Sequence, residues 1–425
     1  MNGRVLFARP NGLQYGHLAL EILMALAHAR AEDAEVWLLP VGQPVNKALV
    51  EIESETVQIS QPAGWQHLWL HSQWWVTRLP RRWNRQRDAA LEALYHESGK
   101  ELSRHMLKSN IPAVLRSQLR TLRKWLAIRE KHTRARCERA WPYLRRRLIA
   151  TPLPVALRET VRQSACARAA ELGISPDARL VTIHAREHGF KRGREVHDKH
   201  RRQGKEHPRD DTSRNAYIES YLPAIEHLAQ QGFTIVRIGD PSMTPFVHPA
   251  VIDLATSPQR TEAVEVDCLL RSTFLMSGEA GPVGVSYLTN TPVLKINVTD
   301  PIGSYPIRRT GLFLTKHVTE RATGRILSCW DLLDPDYLKH VRNTKRFKYD
   351  DNSPEEIVSA VHEMLELITT PPPETMRQQE YRDRATTVAE ECGAHVAYLR
   401  KWGSDDGFLG YGRIAQVCLA RTDES

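Results

Sequence analysis

Short apolar runs alternate with stretches of helical periodicity along most of the chain, the pattern of strands and helices taken in turn. Arg4–Ala8 reads as a strand, Arg9–His17 as a glycine-containing loop, and the apolar-periodic run from Leu18 to Ala29 as a buried helix. Glu35–Leu39 follows as the next parallel strand, so the chain opens on a βαβ unit. A second series begins after Thr151-Pro-Leu-Pro154. It contains a helix ending at Leu172-Gly173, where glycine suits the residue after the last turn. A strand over Arg179–His184 follows, then a helix over Asn215–Gln230 and a strand over Phe233–Ile238. Ala250–Leu254 and Thr273–Ser277 read as strands, with a helix over Thr261–Arg271 between them. A helix over Gly281–Leu288 leads to a strand over Val293–Asn297. Ser353-Pro-Glu-Glu356 is a capping box with proline in the first turn and opens a helix to about Ile368, and Pro371–Pro373 ends it. The expected fold class is α/β with a parallel, doubly wound sheet in the second half.

Between Trp65 and Trp141 the texture changes. Seven of the ten tryptophans fall there, interleaved with arginines, and Leu115, Leu119, Leu122 and Leu126 recur at helical spacing beside Arg116, Arg120 and Lys124. This is a helix-rich insertion in the first domain. At 425 residues the chain is long enough for two domains. The expected division is 1–152, 153–370 and a helical tail over 371–425. The net charge of +9 is concentrated, because Ile111–Arg147 carries twelve Lys/Arg against Glu130 and Glu138. Basic charge so confined does not mark a nucleic-acid-coating protein, and none is expected as partner. Packed helices with snorkelling arginines account for the section. Contact with an anionic lipid surface is the alternative. No stretch is long and apolar enough for a membrane span, no signal peptide is evident, and the six cysteines show no CxxC pairing. A cytoplasmic location is expected, with peripheral contact at the inner membrane face if the Trp/Arg section docks there.

Candidate chemistry gathers at expected strand ends, where open parallel sheets bind ligands. The first end is Ile183-His184-Ala185-Arg186-Glu187. The second is Arg237-Ile238-Gly239-Asp240. The third is Ser277-Gly278-Glu279-Ala280-Gly281-Pro282, running into a helix whose N-terminal amides suit a diphosphate. Arg186 can clamp phosphate oxygens, and Arg214 and Asn215 stand where the polar loop Lys191–Arg214 meets the next helix. The alternatives are a strand-end histidine satisfied by hydrogen bonds at His184 and an ion pair of Arg237 with Asp240 or Asp253. In the first domain, Asn11, Gly12, Tyr15 and Gly16 form the acceptor-side loop. His17 is a candidate general base or a helix cap. No DxD triplet or other metal motif appears. Charge stabilisation by arginine and backbone dipoles is expected in place of a metal or cofactor.

The run Val181–Phe190, Asp211–Asn215, Tyr221–Ile225 and Val236–Met243 resembles a family of bacterial glycosyltransferases named largely from sequence and often found near surface-polysaccharide genes. His184-Ala-Arg186 also resembles the His-x-Arg motif of GT-B fucosyltransferases, and Phe274–Gly278 the nucleotide-sugar end of that fold. The resemblance implies a GT-B protein: two Rossmann-like domains facing a cleft, acceptor on the first and donor on the second. It implies transfer of a sugar from a nucleoside-diphosphate donor to a hydroxyl of a glycan, lipid-linked or peptide acceptor, by an inverting, metal-independent route in surface polysaccharide or glycoconjugate synthesis. Carried over, Arg186 neutralises the leaving group, with His17 and His184 the other candidate catalytic residues. Ser277, Gly278 and Gly281 hold the phosphates, Arg237 and Asp240 line the donor pocket, and Arg214, Asn215, Gly239, Glu279 and Pro282 are further donor- or nucleotide-binding candidates. Glu187 directly follows Arg186, where the fucosyltransferase pattern spaces its acid further on, and Asp198 lies far along the loop, so the base stays unassigned. A non-catalytic nucleotide- or glycan-binding protein, and an epimerase or hydrolase acting on the donor, are the alternatives.

Overall fold

The computed structural model describes residues 5–8, 15–38, 44–60, 152–187, 211–392 and 409–421. The Trp/Arg section, Asn11, Gly12 and positions 188–210 of the polar loop lie outside the described residues.

The first unit is a three-stranded sheet. β1 (Val5–Ala8) pairs in parallel with β2 (Glu35–Leu38), and β2 with β4 (Ile59–Ser60), with helix α1 (Tyr15–Glu32) connecting β1 to β2. The helix takes in Tyr15, Gly16 and His17, so these are first-turn residues and not loop. A short strand β3 (Ile52–Ser54) pairs antiparallel with β5 (Val155–Leu157), which falls just past the Pro152–Pro154 segment and ties the two halves together. Helix α2 (Glu159–Glu171) then runs to Gly173, whose φ of +79° terminates it as expected.

The second unit is built on a seven-stranded, all-parallel sheet. In chain order its strands are β6 (Leu180–His184), β7 (Thr234–Arg237), β8 (Val251–Asp253), β9 (Ser272–Ser277), β10 (Val293–Val298), β11 (Gly311–Thr315) and an edge strand contributed late in the chain, which becomes β15 (Arg413–Ile414). Across the sheet the order is β8-β7-β6-β9-β10-β11-β15. The chain winds outward from β6 in one direction, returns to lay β9 on its other side, and winds outward again. This is the doubly wound Rossmann topology, with its reversal between β6 and β9. Helices α3 (Leu222–Gln230), α4 (Glu262–Arg271) and α5 (Gly281–Leu288) are the crossovers around these strands. The helix expected over Asn215–Gln230 is shorter, because Pro223 sits in its first turn and a 3-10 turn, Ile218–Tyr221, precedes it.

Beyond β11 the chain builds a small antiparallel sheet of β12 (His317–Glu320), β13 (Ile326–Leu327) and β14 (Phe347–Asp350), with α6 (Pro335–Lys339) between β13 and β14. Helix α7 (Pro354–Thr369) starts at the predicted capping box, with the reciprocal Ser353 and Glu356 hydrogen bonds both present. Helix α8 (Met376–Cys392), β15 and α9 (Gln416–Ala420) complete the described chain.

Register assigns the two faces of the large sheet. Ile183, Met276 and Leu294 are cross-strand partners and meet α3 and α7 in one core. Thr182 and Leu275 are partners on the opposite face, where the sheet packs against α1, α4 and α5 in a second core. That second core is continuous across the two units: Leu18, Ile22 and Leu26 of α1 and Val36 of β2 share it with Val264, Leu269, Val285 and Leu288. The approach of α1 to α5 is close enough to need glycine. A Cβ on Gly16 would stand 2.9 Å from the carbonyl oxygen of Gly281, and one on Gly284 would stand 2.6 Å from that of Gly16. Among the described residues no helix is long and apolar enough to cross a membrane.

Candidate functional site

The reversal in strand order leaves the carboxyl ends of β6 and β9 side by side, with His184 in register with Ser277. By the pleat, His184, Ser277 and Lys295 share the sheet face that carries α5. Of the candidate residues, Arg186, Asn215, Arg214, Ser277, Gly278, Glu279, Gly281 and Pro282 are brought to these strand ends from three chain segments.

Arg186 leaves β6 two residues past its end and is 8% exposed. It donates from Nη1 to Oδ1 of Asn215 at 2.7 Å, while its carbonyl accepts from the backbone N–H of Ala216 at 2.9 Å. Lys316, just beyond β11, donates from Nζ to the Asn215 carbonyl at 2.7 Å and to Asp351 Oδ1 at 2.6 Å. Asp351 in turn accepts from the N–H of Tyr217 at 2.9 Å. The 3-10 turn Asp211–Arg214 and Asn215 are thereby pinned across the ends of β6 and β11. Arg214 reaches the third end, donating from Nη1 to the Glu279 carbonyl at 3.2 Å.

Glu279 is the anionic centre of the site. Its Oε1 accepts from Ser304 Oγ at 2.5 Å and Arg342 Nη2 at 2.9 Å. Its Oε2 accepts from the Thr299 N–H at 3.0 Å and the Thr299 hydroxyl at 2.5 Å. Burial alone would raise its pKa, but Arg342, the Ser304 and Thr299 bonds and Arg214 outweigh burial and hold it down at about 2. A carboxylate whose oxygens are engaged in this way organises its surroundings; it does not seat a phosphate. Arg342, its partner, has a left-handed φ of 67° and also donates from Nε to Thr299 Oγ1 at 3.1 Å. Asn297, at the end of β10, is likewise left-handed (φ 57°) and exchanges hydrogen bonds with Asn352, whose N–H donates to Asn297 Oδ1 at 2.6 Å and whose Oδ1 accepts from Asn297 N–H at 2.7 Å.

The helix N-terminus expected to receive phosphate is that of α5, entered through Ala280, Gly281 and Pro282. Tyr15 and Gly16 of α1 lie directly against Gly281. The expected acceptor-side residues are therefore next to the donor-side turn, and His17, half-buried, follows them in the same turn of α1. Ser277 is fully buried, its Oγ donating to the Gly278 carbonyl at 3.1 Å.

Two predicted residues have structural partners of their own. Arg237 has no exposed surface. Its Nη2 bonds Glu187 Oε1 at 2.5 Å and its Nη1 bonds Asp253 Oδ2 at 3.0 Å and the Thr244 carbonyl at 3.0 Å. This is the ion pair with Asp253 that the sequence admitted as an alternative, with Glu187 added. Asp240 caps the following turn, accepting from the Ser242 N–H and hydroxyl at 3.0 and 2.7 Å. Gly239 sits between them at a φ of +155°, and a Cβ there would stand 3.2 Å from His184 Nδ1. His184 bonds the Ile238 carbonyl through Nδ1 at 3.0 Å. Burial lowers its pKa from 6.5 to about 4, and the neighbouring charges of Arg237 and Arg186 add to that. It is neutral at pH 7, with Nδ1 as donor.

Lys316, Arg342, Thr299 and Ser304 belong to the site and carry no sequence signal of it. The segment from Thr299 to Asn352 has no motif, and its residues reach the site only through the tertiary fold.

No protein-family profile matches the chain, and no curated protein matches it. Similar solved structures include a family 9 glycosyl transferase from Veillonella parvula, 10% identical over 69% of this chain and 80% of that one, with a TM-score of 0.32. ADP-heptose LPS heptosyltransferase II of E. coli is 12% identical over 69% of this chain and 84% of that one, TM-score 0.32. The dodecameric iron-containing heptosyltransferase TibC, in complex with ADP-D-beta-D-heptose, is 10% identical over 87% and 77%, TM-score 0.35. Likeness at these scores carries no weight for the chemistry.

Proposed function

We propose that this chain is a GT-B glycosyltransferase that moves a sugar from a nucleoside-diphosphate donor to a hydroxyl of a glycan, lipid-linked or peptide acceptor. One observation carries the reading. A guanidinium, Arg186, follows β6 and a helix N-terminus, that of α5, follows β9, the two adjacent strands that flank the topological reversal of a doubly wound sheet. Cleaving the bond between the anomeric carbon and the diphosphate leaves negative charge on the phosphate oxygens. A guanidinium and aligned N–H dipoles stabilise that charge without needing a metal. Asn215 fixes Arg186 by the 2.7 Å hydrogen bond, so little reorganisation is needed as charge develops.

In the inverting course that we favour, the acceptor oxygen attacks the face of the anomeric carbon opposite the diphosphate. A base on the α1 side takes its proton. His17 is the candidate for that role, since α1 abuts α5 at Gly16 and Gly281. His184 fits proton abstraction poorly at a pKa of about 4 and fits positioning of the β6–β7 junction better.

The test is a thermal-shift screen of the purified chain against UDP, GDP, dTDP, CDP and ADP sugars and CMP-linked sugars, each with and without EDTA. A shift from one nucleotide class, unchanged by EDTA, supports the reading and directs acceptor assays. Sugar released free, never found on an acceptor, would replace transfer by hydrolysis. Absence of any shift would favour the non-catalytic binding reading.

A further inference from the structure

Between β11 and α7 the chain leaves the large sheet, builds β12, β13, β14 and α6 as a layer of its own, and returns. This excursion reaches the candidate site at two places. At its root, Lys316 and Asp351 stand immediately outside the first rung of the β12–β14 ladder, in which His317 pairs with Asp350. Their side chains are 3% and 14% exposed and meet at 2.6 Å. The root is fixed from behind: the Lys316 N–H donates to the Val298 carbonyl at 2.9 Å, and Asn352 Nδ2 to the Thr315 carbonyl at 2.7 Å. The remaining bonds of the pair go to one segment, from Lys316 Nζ to the Asn215 carbonyl and from the Tyr217 N–H to Asp351 Oδ2. Between those anchors, the Ala216 N–H donates to the Arg186 carbonyl and the Asn215 side chain accepts from the Arg186 guanidinium. Arg186 is thus gripped at backbone and side chain by two residues whose own backbone one buried ion pair holds. The second contact is on the side of β9 and β10. Tyr337 Oη donates to the Thr299 carbonyl at 2.6 Å, and Arg342 bonds both Thr299 Oγ1 and Glu279 Oε1.

A buried ion pair is often no more stabilising than apolar side chains of the same volume, so stability is not what Lys316 and Asp351 supply best. They supply direction, as a charged donor and a charged acceptor that fix a carbonyl and an N–H two residues apart. We propose that Lys316 and Asp351 are positioning residues for Arg186: the pair holds Asn215–Tyr217 at the end of β6, and that segment sets where the guanidinium stands as the diphosphate leaves. The effect on turnover rests on the glycosyltransferase reading; the holding of the segment rests on the hydrogen bonds alone.

Hydrogen exchange on the whole protein reads the holding. In Lys316→Met the amides of Asn215, Ala216 and Tyr217 are expected to lose protection while those of β9 and β10 keep theirs. If that variant does not fold, Lys316→Met/Asp351→Asn, which leaves neither charge buried alone, takes its place. Unchanged protection over 215–217, or loss spread evenly through the large sheet, would overturn the proposal. Turnover reads the effect on Arg186, with UDP, GDP, dTDP, CDP, ADP and CMP sugars as donors. Lys316→Met is expected to lower kcat by about 10- to 100-fold and to change donor KM far less. In an Arg186→Ala background the same substitution is expected to cost nothing more, because the residue through which it acts is already gone. An equal loss in both backgrounds would mean a general structural role and would also overturn the proposal. Wild-type protein that turns over none of these donors would sink the glycosyltransferase reading instead, and the exchange pattern would then decide the positioning by itself.

Discussion

Arg186 and Arg237 look alike in the sequence, each an arginine near the end of an apolar strand, yet they sit in different electrostatic settings. Arg237 is enclosed by Glu187 and Asp253. Arg237→Met would leave two carboxylates without their cation, a kind of loss that costs about 3–5 kcal/mol. Arg186 bonds the neutral amide of Asn215 at the sheet's reversal point. Arg186→Ala is expected to lower turnover by about 100-fold or more, with a smaller effect on donor binding, because its charge meets a charge that grows in the transition state. Steady-state kinetics beside donor titration by calorimetry checks this, and unchanged turnover would remove Arg186 from the chemistry. His184 makes a prediction in pH. Its folded pKa of about 4 lies below its ordinary 6.5, so the unfolded chain takes up a proton first as pH falls. Stability is intact above pH 6.5 and declines by about 3 kcal/mol toward pH 4. Glu279, held at about 2, adds a second loss that starts near its ordinary 4.5 and runs down to about 2. His184→Asn should flatten the first limb in urea titrations across pH 4–7 and leave the second. A first limb that persists in the variant would assign the acid sensitivity elsewhere.

The elements of the second half were readable because each carries its own local signal. β6, β9, β10 and α5 fall within a residue or two of where apolar runs and glycines put them. The helix ending at Gly173 and the capping box at Ser353 depend on single-residue backbone chemistry and were equally plain. Strand order was not readable, since pairing between Thr182 and Leu275 or between Leu312 and Arg413 is a long-range choice. For the same reason the role of Arg237 stayed open between ligand and ion pair until Asp253 was placed beside it. The contact between α1 and α5 could not be foreseen either, although its glycines were visible, because Gly16 and Gly284 are read locally as turn or helix residues. That contact makes a paired prediction. In Gly284→Ala the new Cβ meets backbone at 2.6 Å, and overpacking of that kind costs about 1–3 kcal/mol. In Gly278→Ala the nearest atom is 3.6 Å away, an ordinary contact, and stability should hardly change. Urea midpoints of the two variants decide it, and equal losses would argue against the close approach.

At the scale of the molecule, one apolar core runs from α1 and β2 through α4 and α5 to the face of the large sheet. The β3–β5 pair adds a polar tie across the same boundary. Two α/β units so joined should lose their structure in one cooperative step, because neither can keep its half of the core without the other. Calorimetry on the whole chain is expected to show one transition for the described units, with helicity and tertiary signals moving together. Two separated transitions would mean that the shared core contributes little. The same union bears on function. Any closure that accompanies donor binding has to work around a fixed α1–α5 contact, so its moving parts belong to other segments.

The edge strand β15 has a further consequence for how the protein is made. The far side of β11 is covered by residues 413–414, which follow every other strand of the sheet in the chain. While the chain is being synthesised, all the other strands emerge first and the β11 edge waits with its backbone N–H and C=O groups unpaired. The β11 edge is covered only by the late arrival of this segment. Until then the nascent protein carries an open edge, of the kind that chaperones cover and that neighbouring chains can join.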